Sequence, residues 1–503
     1  MNYFDVIIVG AGLSGVGSAC HLQRHCPGKT FTLLEGRGAI GGTWDLFRYP
    51  GVRSDSDMHT LGYNFKPWLA STAIADGPAI LSYLKETAAQ YDVNRHIRFG
   101  HLVKSAAWST DKARWVLEVE RVDSCDQVQF LCNMLLMCGG YYSYREGYDA
   151  RLKGLKRFQG VVAHPQFWPA DLDHRGKKEV VIGSGATAMT LVPAMAMDGA
   201  KVTMVQRSPT YVVSAPSVDR IAERLNRWLP QRWAYAITRF KNIQREVYFY
   251  HRTRVAPTKT KKMLVNWVRQ ALGPDYDVET HFTPRYDPWD QRLCLIPDDD
   301  LFNVLNDGSA KLVTAQIDTI TTNGVRLDSG EVIDADIVVP ATGLKLVVLS
   351  EVAFSVDGEP VNVADTYSYK GMMYSGVPNM VQTFGYIHHS WTLRADLTAQ
   401  YACRLINHMD SLGMRQVTPT LRDRDKHMPA LPWIQDFSAG YIQRRMHLFP
   451  RQGDRAPWLN TQNYARDIKM IRRAAVADDV LRFTGPAVDR SMSKDPRGRA
   501  DAP

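Results

Sequence analysis

At 503 residues, 45% hydrophobic and 22% charged, the chain has the make-up of a soluble globular protein, not of a disordered chain, a collagen-like fibre or a disulfide-stapled scaffold. Its 61 Lys plus Arg exceed 52 Asp plus Glu by nine, a basic excess of the kind nucleic-acid binders carry. The seven cysteines are odd in number and form no C-x-x-C pair, which argues against a disulfide framework, a dithiol redox centre and a zinc site, so no metal is expected. The N-terminus has no basic stretch followed by a small-residue cleavage site, and a cytoplasmic enzyme core is expected.

Residues 4–9 are apolar apart from Asp5, as in a strand buried on both faces of a parallel sheet. The turn Gly10-Ala11-Gly12-Leu13-Ser14-Gly15 follows, then a helical stretch that stops at Pro27-Gly28 and a second strand that ends at Glu35. In this order Gly10 permits a tight turn, Gly12 lets a pyrophosphate approach the backbone, and Gly15 lets helix and strand pack closely. The helix N-terminus offers free N–H groups to phosphate, and Glu35 would accept from a ribose hydroxyl, which fits FAD or NAD.

The pattern recurs 173 residues on, as Gly183-Ser184-Gly185-Ala186-Thr187-Ala188 after a strand over residues 180–182. Here the second strand ends in Gln206-Arg207-Ser208 with no acid. An Arg accommodates a 2′-phosphate that a carboxylate would repel, so this turn fits NADPH. Each half also closes alike. Residues 115–122 and 127–138 alternate like paired strands and run into Gly139-Gly140, while 324–327 and 332–339 run into Ala341-Thr342-Gly343. The expected fold is α/β, with two Rossmann-like dinucleotide-binding domains, and two adjacent nucleotides suggest hydride transfer from nicotinamide to flavin.

Two further stretches choose among flavoproteins. One is Phe158-Gln-Gly160-Val-Val-Ala-His164-Pro-Gln-Phe-Trp168-Pro169; the other is Gly41-Gly42-Thr43-Trp44, four residues, Tyr49-Pro50-Gly51, three residues, Asp55. They match F-x-G-x-x-x-H-x-x-x-W-[P/D] and [A/G]-G-x-W-x4-[F/Y]-P-[G/M]-x3-D. On these residues the chain resembles Baeyer–Villiger monooxygenases of the flavin-containing monooxygenase superfamily. Segments 41–57, 208–211, 286–297 and 390–396 are most similar to its ethionamide-activating branch. The resemblance implies that NADPH reduces FAD, that reduced flavin captures O2 as a C4a-peroxide, and that this attacks a small ketone to give an ester or lactone. Organosulfur compounds are a second substrate class.

The resemblance makes Arg292, in Tyr286-Asp-Pro-Trp289-Asp-Gln-Arg292, the catalytic residue and Asp55 the carboxylate that positions it. A guanidinium suits the role, because it stays charged at any working pH and does not readily protonate the anion it stabilises. His164 is expected to anchor the linker; Trp44 and Trp168 are expected to pack and to position cofactor. Gln291 stands where many members of the family carry a Lys on the 2′-phosphate, which leaves NADPH selectivity to Arg207 and Ser208. A heteroatom oxygenase acting on nitrogen or sulfur is the first alternative; a non-oxygenating NADPH:flavin reductase or cofactor-binding regulator is the second.

The expected layout is an FAD domain from 1–140 and 341–488, a linker over 141–178, an NADP domain from 179–210 and 286–340, a helical insert over 211–285, and a disordered tail over 489–503. Apolar residues in the insert, among them Ile221, Trp233, Ile237 and Phe240, recur at three- and four-residue spacing, with a break near Pro230. Between Arg220 and Gln270 stand 13 basic residues and two acids, so this stretch carries +11 and the remaining chain −2. The favoured reading is a solvated helical face with its aromatic side packed on the NADP domain. Peripheral contact with anionic membrane comes second, and no nucleic-acid partner is expected.

Overall fold

The computed structural model describes residues 2–486; the tail expected over 489–503 lies outside them. Strand Asn2–Val9 lies between Phe31–Leu34 and Gln127–Met137, parallel to both. Its alternate residues enter two different cores. Val6 and Ile8 join the helices Leu13–His25 and Trp391–Leu412, whereas Ile7 and Val9 face Trp108, Trp115 and Phe130. That two-sided burial is why the strand reads as an unbroken apolar run. Strands Arg114–Arg121 and His101–Ser109 extend the sheet antiparallel, and chain from beyond residue 341 returns to it through Ala353–Val356 and Met380–Gln382.

A second parallel sheet is built from Ala310–Thr314, Lys201–Gln206, Lys178–Ile182 and Ile337–Pro340, in that order. Val161–Val162, from within the expected linker, adds a fifth parallel strand at its edge. The strand expected over 332–339 is two. Val332–Asp334 pairs antiparallel with Gly324–Leu327, and Ile337–Pro340 enters the parallel sheet. The break falls at Asp336, whose carboxylate accepts the Lys178 N–H at 2.8 Å while its own N–H donates to the Lys178 carbonyl.

The insert departs from expectation in two ways. Its first residues are not helical: Tyr211–Ala215 is a strand, parallel to Leu293–Pro297, which satisfies its backbone groups across 82 positions. Helices Arg220–Trp228, Gln231–Val255 and Pro257–Leu272 follow, separated at Pro230 and Pro257. Second, its aromatic side does not pack on the second nucleotide-binding body. Only the third of these helices does, through Val265, Val268 and Leu272. The long helix buries Tyr235, Arg239 and Asn242 against residues 57–63, while Trp233 and Phe240 stay in solvent. The polar face holds this helix down because it meets unpaired carbonyls. Arg239 donates to the carbonyls of His59, Thr60 and Gly62 at 2.7–3.1 Å and stands 3.6 Å from Asp396.

Arg239→Ala is therefore expected to cost about 3 kcal/mol or more, since it orphans three buried carbonyls and the Asp396 charge. Denaturant unfolding measures it, and a loss under about 1 kcal/mol would show that other contacts seat the helix. Among the described residues no helix is long and apolar enough to cross a membrane.

Candidate active site

The two glycine turns are built alike. Gly10 adopts φ 101°, and a Cβ there would stand 2.9 Å from the Cys138 carbonyl oxygen; at Gly15 it would stand 1.9 Å from that of Gly10. Only glycine fits either place. Helix Leu13–His25 starts at Gly12 with no side chain capping its first N–H groups, so these donors are left for a ligand. The Leu13 carbonyl accepts from the Tyr63 hydroxyl at 2.6 Å, and the Ser14 hydroxyl accepts from the Trp391 indole at 2.8 Å.

Glu35 is buried at the end of the second strand, where its carboxylate accepts the N–H groups of Ala11 at 2.7 Å and Arg37 at 3.0 Å. Burial raises its pKa, against the pull of those two bonds. Gly42 lies against Gly12, so the short helix Thr43–Leu46 sits beside the turn, with the Thr43 hydroxyl 2.5 Å from that of Tyr142.

In the second turn Gly183 backs onto the Ala341 carbonyl, so Ala341, Thr342 and Gly343 run beside it as residues 138–140 run beside the first. The Thr342 hydroxyl is buried and has no partner. Helix Ala186–Met197 begins at Gly185, again without a side-chain cap. The Ser184 hydroxyl donates to the Ser208 carbonyl at 3.3 Å, and Arg207 and Ser208 are exposed just past their strand. Two uncapped helix N-termini and an orphaned hydroxyl beside one of them fit two dinucleotides.

Between the turns lies a cavity of about 860 Å³. It gathers Gly12, Leu13, Ser14, Thr43 and Trp44 from the first turn and its neighbour, Ala186 and Thr187 from the second, and both Asp55 and Arg292. Gly10, Gly15, Glu35, Gly42, Gly183, Ser184, Gly185, Arg207, Ser208 and residues 341–343 lie outside its lining.

Asp55 and Arg292 are 237 positions apart and form an ion pair. Arg292 stands immediately before strand Leu293–Pro297, and its carbonyl accepts from the Thr210 hydroxyl at 3.1 Å. Asp55 arrives on a loop pressed against the second turn's helix: at Gly51 (φ 71°) a Cβ would lie 2.6 Å from that of Ala194. Arg53 pins the same loop to Asp300 at 2.6 Å. The Asp55 carboxylate holds the guanidinium of Arg292 well above its ordinary pKa, so the cation is fixed at any working pH.

The Phe158–Pro169 fingerprint lies away from the cavity. Phe158 packs into a small core with Leu152 and Leu155, and Gly160 fits tightly against the Asp336 carbonyl. His164 accepts the Gln166 N–H at 3.2 Å, its ring covers Gly147, and burial lowers its pKa. Gln166 in turn donates to the Ser143 carbonyl at 2.6 Å, and Trp168 packs on the second core.

The cavity also has lining that no motif announced. Tyr141 stacks on Trp391 with ring centres 5.2 Å apart, and Tyr441 lines the cavity with Arg292, its hydroxyl pKa raised by burial against the pull of that cation. Glu246 sits 3.5 Å from His389, its pKa raised by burial. His388 stacks on Tyr250 at 4.4 Å, and burial lowers its pKa to about 3, so the ring is neutral. These residues come from four segments, around 141, 246–250, 388–391 and 441, with no spacing to link one segment to another.

Residues 8–71 match the family described as NAD(P)-binding Rossmann-like domain, and residues 73–356 match the flavin-binding monooxygenase-like family. The FAD-containing monooxygenase EthA of Mycobacterium tuberculosis is 49% identical over 483 residues, covering 96% of this chain and 98% of that protein. The probable FAD-binding monooxygenase AlmA of Acinetobacter baylyi is 44% identical, with 96% of each chain covered. Among solved structures, an oxidized steroid monooxygenase bound to NADP shares the fold with TM-score 0.78 at 22% identity, covering 96% of this chain and 99% of that one. An open form of cyclohexanone monooxygenase does so with TM-score 0.73 at 19% identity, covering 96% and 100%.

Proposed function

The chain belongs to the flavin-binding monooxygenase-like family, and on that premise we propose an FAD-dependent, NADPH-consuming Baeyer–Villiger monooxygenase. It inserts one oxygen atom of O2 beside a ketone carbonyl to give an ester or lactone. The observation that carries this reading is the Arg292–Asp55 ion pair, set in a cavity that both glycine turns border.

The first turn would hold FAD and the second NADPH. The N–H groups after Gly12 take the FAD pyrophosphate, and spare lone pairs of Glu35 take the ribose. Those after Gly185 take the NADPH pyrophosphate. When bound and reduced by NADPH, FAD supplies the activation of O2. Arg292 presents a fixed cation to negative charge that develops on the reacting oxygen, and Asp55 keeps that cation aimed. Tyr141, Phe384, Ile387 and Trp391 give the cavity apolar walls, which strengthen the field of Arg292 by excluding water. The fingerprint is an anchor: through His164 and Gln166 it ties the loop after residue 140 to the second sheet and so fixes one nucleotide relative to the other.

Coenzyme choice rests on Arg207. Arg207→Ala is expected to lower kcat/KM for NADPH by about 10- to 100-fold, the worth of a charge-assisted hydrogen bond, and to leave NADH little changed. Equal wild-type use of NADH and NADPH would contradict the assignment. The reaction itself is tested by a panel of ketones and thioethers on FAD-loaded protein, with products resolved by chromatography. Esters are the expected products. Sulfoxides alone would transfer the reading to heteroatom oxygenation, and dye reduction without any oxygenated product would reduce it to a flavin reductase.

A further inference from the structure

We propose that the outer face of the inserted helices docks on an anionic lipid bilayer, and that the active-site cavity opens beside that face. Only the second clause rests on the functional reading above. About half of the large apolar side chains exposed among the described residues, nine of nineteen, fall between residues 220 and 270. They are not scattered. On helix Gln231–Val255, Trp233, Ile237, Phe240 and Tyr248 follow at spacings that put them on one side, exposed by 55, 44, 66 and 62%. Trp228, at the end of the helix packed alongside, is 81% exposed.

Arginines border this stripe. Arg224, Arg227, Arg232 and Arg245 are exposed and make no ion pair among the described residues, and Arg232 lies over the Trp233 ring. A helix with an aromatic face flanked by free guanidinium groups is the form that lies in a bilayer interface. Its rings enter the headgroup–acyl boundary, and its cations meet lipid phosphate. The charge decides against the other occupants. A second copy would bring two stretches of +11 face to face. A nucleic-acid backbone would engage the arginines and leave Ile237 and Phe240 in water.

The cavity reaches the same surface. Ile221, Arg245 and Trp267 all line it, and each is also exposed on the insert. Apolar substrates dissolved in the bilayer would therefore meet the cavity mouth without crossing water.

Co-sedimentation of the FAD-loaded full chain with vesicles tests the docking. Binding is expected to phosphatidylcholine vesicles containing ~30% phosphatidylglycerol, falling about tenfold in high salt, and not to phosphatidylcholine alone. The triple variant Trp228→Ala, Trp233→Ala, Phe240→Ala is expected to bind at least about tenfold more weakly, with unchanged turnover of a water-soluble ketone. Absence of binding to the anionic vesicles at low salt would overturn the docking. So would a dimer that the same variant dissolves, which would give this face to a second copy. For the mouth, a long-chain ketone carried in anionic vesicles is expected to turn over faster than in neutral ones, with that advantage lost in the variant. If binding persists without the advantage, the position of the mouth is wrong. If no ketone of any kind is oxygenated, the reaction reading fails while the docking stands.

Discussion

Arg292→Ala is expected to lower kcat/KM for ester formation by about 10²–10³-fold while NADPH still reduces the bound flavin at nearly the wild-type rate. The split follows from where the residue sits. Arg292 lines the cavity between the two turns, whereas the N–H groups that would seat each nucleotide belong to other elements. Removing the guanidinium leaves both proposed cofactor sites standing and takes away the cation proposed to face the reacting oxygen. NADPH consumption should then continue with release of hydrogen peroxide in place of ester. Arg292→Lys keeps a charge but loses the planar fork that meets Asp55, so partial activity is expected. Asp55→Asn keeps the cation and loosens its aim, and should fall between the two. Anaerobic reduction followed by absorbance, beside ester yield by chromatography, separates the steps. Ester formation by Arg292→Ala at close to the wild-type rate would remove the residue from the chemistry.

What made this pair legible in the sequence was its surroundings. Asp55 closes the signature that starts at Gly41, and Arg292 is assigned through the family resemblance of residues 286–297; the structure shows the Tyr49-Pro50-Gly51 part of that signature pressed on the helix after the second turn. In the glycine turns Gly10, Gly15 and Gly183 each exclude a Cβ, and such a position leaves a fixed trace in the sequence. Tyr141, Tyr441, Glu246 and His389 left none. Each meets the cavity through tertiary packing between segments far apart in the chain, and no spacing within one segment reports such neighbours.

The insert shows a different limit. Its three- and four-residue apolar spacing identified helices correctly, yet periodicity reports that a face exists and not what it faces. The apolar stripe read as the buried side is the solvent side, and the buried side is held by Arg239 and Asn242, whose partners around residues 57–63 lie 177 to 185 positions away. Strand Tyr211–Ala215 was hidden likewise, since its partner strand begins at Leu293.

Gly15→Ala and Gly185→Ala are expected to fail in opposite ways, although each adds one methyl group to a glycine turn. At Gly15 the new Cβ would stand 1.9 Å from the Gly10 carbonyl oxygen, so the helix has to move off the strand beneath it. Overpacking of this kind costs about 1–3 kcal/mol, and the displaced helix carries away the N–H groups that would face the FAD pyrophosphate. Gly15→Ala should thus be less stable and emerge from purification without the yellow flavin chromophore. At Gly185 the Cβ would meet nothing within 4 Å, and φ is −86°, so stability should change by less than about 0.5 kcal/mol and flavin should be retained. The space it fills is the space a pyrophosphate needs above the second helix N-terminus, so KM for NADPH should rise by about tenfold or more. Thermal unfolding, flavin absorbance and steady-state kinetics read the three quantities separately. A flavin-replete Gly15→Ala would mean that the first turn does not hold FAD. A Gly185→Ala enzyme with wild-type KM would place the NADPH phosphates elsewhere than on the second turn.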